Sequence, residues 1–306
     1  MKAEYNSLIY SYESQYEDIM RIFSEPAFEA ESDEINASAA VRDTVKSDES
    51  NAIQKTNNLN KAIERVKALI KKVMDIFSLL KRKLENRLRL LIETDKGFYT
   101  MYRKRKAMVK PHDNVSVVTY QYVDQILDRS ISTLMKEIIT CLDKLRTIEG
   151  TSNSNSRISE ILEAPQGKTI EVLLKPHVKD NPDAATSIPA FIKHIVTKYR
   201  GEKREFLYEA TKIPDIESRA LSTKQLSSQC NAYLRSAQQA QNKIKELEYQ
   251  IRRNSNNQEV IRLVTSNVSK ASILYNAYST LISAYYELKL EQSLNYRIIL
   301  KKFYQF

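Results

Sequence analysis

Three histidines and two cysteines are the residues of this chain best suited to metal or nucleophilic chemistry. Their spacing argues against both. Lys110-Pro-His112 and Lys175-Pro-His177 repeat one tripeptide at the ends of two stretches with strand character. A histidine pair on adjacent strand ends is a start toward a metal site, yet only Asp113 stands close as a third ligand, and zinc asks for three or four. His194 has no local acid or cysteine partner. Cys141 and Cys230 fall on apolar seams without neighbouring His or further Cys, the placement of small buried hydrophobes in a reducing compartment. No HExxH, GxSxG, CxxC or paired-carboxylate spacing occurs. The expectation is therefore a chain that is not an enzyme, with no catalytic residue, no cofactor, no metal and no small-molecule substrate.

The basic residues are better placed to do something. Residues 1–60 carry 5 Lys+Arg against 12 Asp+Glu, a balance of −7, whereas 61–106 carry 15 against 5, a balance of +10. Arg103, Lys104, Arg105 and Lys106 form a consecutive block near the end of a long helical pattern, and Lys71, Lys72 and Arg82 lie outside its apolar seam. These seven are the candidate polyanion contacts, since clustered cations release counterions on meeting phosphate. Two readings compete with that one. Cations at a helix C-terminus complement its dipole, and an anionic membrane or acidic protein surface is a further partner for the same charge. No aromatic interleaving suggests base stacking, so a nucleic-acid contact here is to backbone and insensitive to sequence.

Tyrosine is abundant, 18 residues against 8 Phe. Tyr275, Tyr278, Tyr285 and Tyr286, with Phe303 and Phe306 in the apolar terminus, are candidates for a contact between subunits. Broad rings with a polar tip suit an interface, and they suit a core that satisfies the hydroxyls equally well.

The elements that must position these residues are helices. Only 4 Gly and 7 Pro interrupt 306 residues, too few for the turns and phosphate loops of an α/β enzyme. Leu59, Ile63, Val66, Ile70, Val73, Phe77, Leu80, Leu84, Arg87 and Leu91 step by four and three with one polar exception, which predicts a helix over about 51–108. Gly97 is a place for it to kink, and Pro111 lies beyond its end. Alternation from Val115 to Tyr122 predicts a short strand, and Thr169–Leu174 a second strand to pair with it. A return helix carries Leu127, Ile131, Leu134, Ile138, Cys141 and Leu145, and a short helix is expected near 190–208. The last ninety residues predict a helical hairpin turning at Asn254–Asn257.

The organisation is thus an N-terminal amphipathic helix (1–25), an acidic linker (26–50), a long basic helix with strand and return helix (51–148), an irregular middle (149–215) and a C-terminal hairpin (216–306). The fold class is mainly α, an elongated bundle of long antiparallel helices with a small inserted β element. No signal peptide or run of 18 apolar residues is present, so a soluble protein is expected.

Asp95-Lys-Gly-Phe98, then Lys110-Pro111, then Val115-Ser-Val-Val-Thr-Tyr120-Gln-Tyr122 resemble a pattern in virion structural proteins of large contractile-tailed bacteriophages. The likeness covers about thirty residues. Ile161-Leu-Glu-Ala164 is similar to sites at which some phage maturation proteases cut head proteins. The resemblance implies a non-enzymatic virion component, assembled in the host cytoplasm with other virion proteins and with copies of itself. Head association is the leading expectation, with neck and tail left open. The alternative is a cytoplasmic helical protein whose basic face meets nucleic-acid backbone or an anionic membrane.

Overall fold

The computed structural model describes residues 48–145, 156–220, 222–253 and 258–306. The expected N-terminal helix, nearly all of the acidic linker and the Asn254–Asn257 turn lie outside these residues, as do the side chains of Leu59, Arg87 and Leu91. The chain divides into two compact units, 1–57 and 58–306. Every described element belongs to the second unit, apart from the start of the first helix.

That helix, α1 (Asp48–Met108), runs through Gly97 without interruption. Its 4-3 seam is the side that leaves water: Val66, Ile70, Val73, Leu80 and Leu84 are buried and Ile63 and Phe77 half-buried. The opposite positions are charged and exposed, so α1 is one-sided. Beyond Pro111 the chain extends into β1 (Asn114–Tyr120), where Val115, Val117 and Thr119 point inward and Asn114, Ser116 and Val118 outward. A helical run comes next, starting as Asp124–Ile126, widening to π geometry over Leu127–Ser132 and continuing as α2 (Thr133–Leu145). Leu127, Ile131, Leu134, Ile138, Cys141 and Leu145 are all buried along it, as their spacing predicts.

The middle of the chain departs from expectation twice. Thr169–Leu174 is a helix, not a strand. It comes after α3 (Ser156–Glu163) and a 3-10 turn, and is labelled α4. Thr169, Leu173 and Leu174 are its buried residues, a helical spacing that a run of six with four apolar residues cannot distinguish from a strand in sequence. The helix expected near 190–208 stops early, as α5 (Ile188–Arg200), and Lys203–Glu209 forms β2. Gly201 makes the break. Its φ is +60° with ψ −152°, a region glycine alone occupies comfortably, and an added Cβ would lie 2.7 Å from the Gln121 carbonyl oxygen. β2 pairs antiparallel with β1, Val115 opposite Tyr208 and Thr119 opposite Arg204. The inserted β element is present with a different second strand.

After α6 (Ile213–Arg219) come α7 (Thr223–Arg253) and α8 (Gln258–Tyr304). They pack together, with the Tyr275 hydroxyl donating to the Ala237 carbonyl at 3.2 Å and the Tyr233 and Tyr285 rings 5.4 Å apart. From Ala271 onward α8 is buried on nearly every side, and Ser272, Ser279, Thr280 and Ser283 are buried with its apolar residues. Small side chains there let neighbours approach closely on faces a long polar residue would hold apart. α2, α4, α5, α6, α7 and β1 all touch α8. The described residues are thus mostly helical, with one two-stranded antiparallel sheet. None of the described helices is long and apolar enough to cross a membrane.

Candidate functional site

The basic block ends α1, and a helix turns 100° per residue, so four consecutive cations point in four directions. Tyr102 is buried and Lys106 exposed, on neighbouring turns, and the Tyr102 hydroxyl and the Lys106 ammonium both donate to the Glu217 carboxylate on α6. The Lys106 ammonium also lies 5.7 Å from the Tyr102 ring centre. Arg103, Lys104 and Arg105 are exposed. All four cations of the block are thus exposed, and Lys106 is tied to α6. Lys71 and Arg82 are exposed farther up α1, and Lys72 is half-buried. Lys71, Arg82 and Lys104 share one side of the helix, since eleven residues make close to three full turns.

The junction under the block is aromatic and charged. Arg297 of α8 meets Asp95 of α1 at 2.5 Å, with the Arg297 side chain buried and that of Asp95 half-buried. The Arg297 guanidinium lies 5.2 Å from the Phe98 ring centre and 5.4 Å from that of Tyr99. Phe98 stacks on Tyr102 at 5.7 Å, and Phe306 leans against both. The Tyr99 hydroxyl donates to the Ala220 carbonyl at 2.8 Å. Burial, with Arg297 beside it, pulls the Lys301 ammonium below its ordinary value. The guanidinium here joins two helices rather than offering a free charge.

A second polar cluster holds the start of the α2 run against α8 and α5. Arg200 binds Glu291 through two nitrogens, at 3.1 and 2.6 Å. The Tyr122 hydroxyl donates to Glu291 at 3.0 Å, and burial followed by that carboxylate pushes its pKa far up. Asp124 accepts from Arg219 at 2.9 Å and from Gln292. These partners went unpredicted. The available signal was a lone charged residue inside an apolar run, as with Arg297 between Tyr296 and Ile298, because a buried charge requires a partner.

The histidines are apart. His112 lies at the end of α8, its backbone N–H donating to the Phe303 carbonyl at 3.0 Å and its ring against Gln305. His177 comes just after α4, its Nε2 3.4 Å from the Glu137 carboxylate, with the Arg157 guanidinium 2.9 Å from the same group. Burial holds the His177 pKa below its ordinary value against the pull of Glu137. His194 stands 3.5 Å from Asp180. Because 169–174 is helical, the two tripeptides do not face one another across a sheet, and among the described residues no group of three metal-ligating side chains forms. Burial pushes the thiols of Cys141 and Cys230 up to about 11, which keeps them protonated and inert at neutral pH.

The candidate interface aromatics lie inside the chain. Tyr275, Tyr278, Tyr286 and Phe303 are no more than 4% exposed, Tyr285 is buried and Phe306 half-buried. Their rings pack in or against the chain's own core. Between α7 and α8 a cavity lined by Leu226, Cys230, Tyr233, Ile282, Tyr285 and Tyr286 measures about 10 Å³, room for about one water. An open groove of about 460 Å³ runs along α1 at Asn60, Lys61, Glu64 and Arg65. The first is too small for an organic ligand, and the second is an open stretch of a single helix. Comparison of the chain with family models, with curated proteins and with solved structures finds no match.

Proposed function

We propose that this chain is a non-enzymatic structural component of a tailed-phage virion, associated with the head and assembling with other virion proteins and with itself. In this reading the long helices form an elongated antiparallel bundle that serves as a rod or spacer in the particle. The observation that carries it is where charge at the helix junctions goes. Asp95–Arg297, Glu291–Arg200, Asp124–Arg219 and Glu137–Arg157 each tie one element to another. Charged groups committed to holding helices together serve rigidity. The likeness of the 95–122 stretch to virion proteins supplies the particle.

The test is mass spectrometry of purified virions from the host system, with crosslinking before disruption. The reading predicts the chain in the particle, crosslinked to head proteins. Virions that contain none of it, from infections in which the chain is expressed, contradict the reading.

Exposed Arg103, Lys104 and Arg105 favour a second reading, a cytoplasmic protein binding nucleic-acid backbone or an anionic membrane. Changing those three to Gln while keeping Lys106, which serves α6, should weaken DNA binding and lower the salt slope by up to ~3. Binding that survives the change unaltered removes this role for the block.

A further inference from the structure

We infer that the outer edge of β2 is a pairing site for the β2 strand of a second copy of this chain, closing a four-stranded sheet across a twofold axis. The inference does not depend on a particle role.

The hydrogen-bond phase shows which groups are open. Ala210 donates to the Asp113 carbonyl and Gln121 to the Glu202 carbonyl, so with the register Asn114 opposite Glu209 the even residues of β2 bond to β1. The backbone groups of Lys203, Glu205, Leu207 and Glu209 therefore point away from the hairpin. On β1 one group of the equivalent edge already has a partner within the chain: the Lys302 ammonium donates to the Ser116 carbonyl at 2.9 Å. On β2, Lys203, Glu205, Leu207 and Glu209 are all exposed, Leu207 at 69%. Among the described residues this edge is open, and an open edge carrying an exposed leucine is a pairing surface unless charge blocks it.

The charges select one partner and one register. Let the strand Lys203-Arg-Glu-Phe-Leu-Tyr-Glu209 meet its own copy antiparallel with Phe206 on the twofold axis. Lys203 then falls opposite Glu209 of the copy, twice by symmetry, and Glu205 opposite Leu207. Residues with outward backbone groups face one another, so the hydrogen-bond phase is also correct. Arg204 comes opposite Tyr208, and the two Leu207 side chains become diagonal neighbours in a row with Val118, itself 62% exposed. Sliding the copies by two residues in one direction sets Glu205 against Glu209. Sliding them the other way sets Glu205 against itself. Like charges directly opposite destabilise a strand pair, so both slips are disfavoured. A self-complementary patch of this kind gives a closed dimer.

The test is sedimentation velocity of the full chain across the micromolar range, with three variants. Within one chain Lys203 faces Tyr120 and Glu209 faces Asn114, so reversing either charge opposes no like charge in the hairpin. Lys203→Glu should weaken dimerisation roughly ten-fold or more, by replacing two attractive cross-strand pairs with two repulsive ones. Lys203→Glu with Glu209→Lys should restore it. Leu207→Pro removes an N–H that the β1 ladder does not use and should abolish the dimer, with melting followed by circular dichroism to confirm that the chain stays folded. Two results overturn the inference: a wild-type chain that stays monomeric throughout, or a dimer indifferent to Leu207→Pro and to the single reversal. A pairing site for another protein, or helix-mediated association, would show as one of these.

Discussion

α1 and α8 are both long, and both show apolar residues at helical spacing in sequence, yet they occupy opposite environments. α1 buries one stripe and presents charge elsewhere; α8 from Ala271 to Tyr304 is enclosed by its neighbours. The difference lies in what fills the positions off the seam. In α1 they are Lys, Arg and Glu, whose burial is costly. In α8 many are Ala and Asn, or Ser and Thr, whose hydroxyls can be buried once a backbone carbonyl takes them, as when the Thr280 hydroxyl donates to the Asn276 carbonyl at 2.9 Å. The seam shows that a helix packs. The off-seam residues show how many neighbours it has.

The sharpest way to break this contrast is where the two helices meet. Arg297→Ala removes the buried guanidinium that half-buried Asp95 meets, together with its contacts to two aromatic rings, and should cost about 3 kcal/mol in denaturant unfolding. Pairing it with Asp95→Asn should recover part of that loss. Recovery of nothing would mean the aromatic stacking of Arg297, rather than the ion pair, carries the junction. Next comes a matched pair of substitutions. Ser283→Lys on α8 forces a long charged chain into a site 5% exposed and should cost about 3 kcal/mol or more. Ser78→Lys on exposed α1 should stay within about 0.5 kcal/mol. Equal costs at the two sites would erase the distinction.

Gly201→Ala should destabilise by about 1–3 kcal/mol, through backbone strain and the approach to Gln121, and should loosen β2 before any helix, as read by amide exchange. The smallest effect is that of pH on His177. Burial depresses its folded pKa, so the unfolded chain binds the proton more readily. The stability contributed by neutral His177 is complete above the ordinary histidine value of about 6.5. It is lost as pH falls toward the depressed folded value. Thermal melting should therefore weaken between neutral pH and pH about 5, and less so in His177→Gln; Glu137 and Arg157, the charged groups facing this ring, are unchanged by the substitution. An identical slope in the variant would assign the pH dependence elsewhere.

Much of the helix layout was legible because four-three spacing over many residues has one physical meaning. β1 was legible for the matching reason, alternation at period two beyond a proline. Its partner was misplaced. Thr169–Leu174 has β-branched and apolar residues in a run too short to show its period, whereas Lys203–Glu209 carries four charges that mask an alternation of Phe206 and Tyr208. Gly201 was the overlooked sign, since a glycine after Lys-Tyr-Arg marks a helix end. The tyrosines carried no such sign. A ring at an interface and a ring in a core have the same composition, and only the partners of the hydroxyl distinguish them.

Hydrogen exchange on the intact chain tests the account most directly. If α8 is the enclosed axis, its amides from 271 to 300 should be the slowest in the molecule, exchanging only through global unfolding, while those of α1 between 60 and 84 open at lower free energy. Protection in α8 equal to or weaker than that in α1 would contradict it.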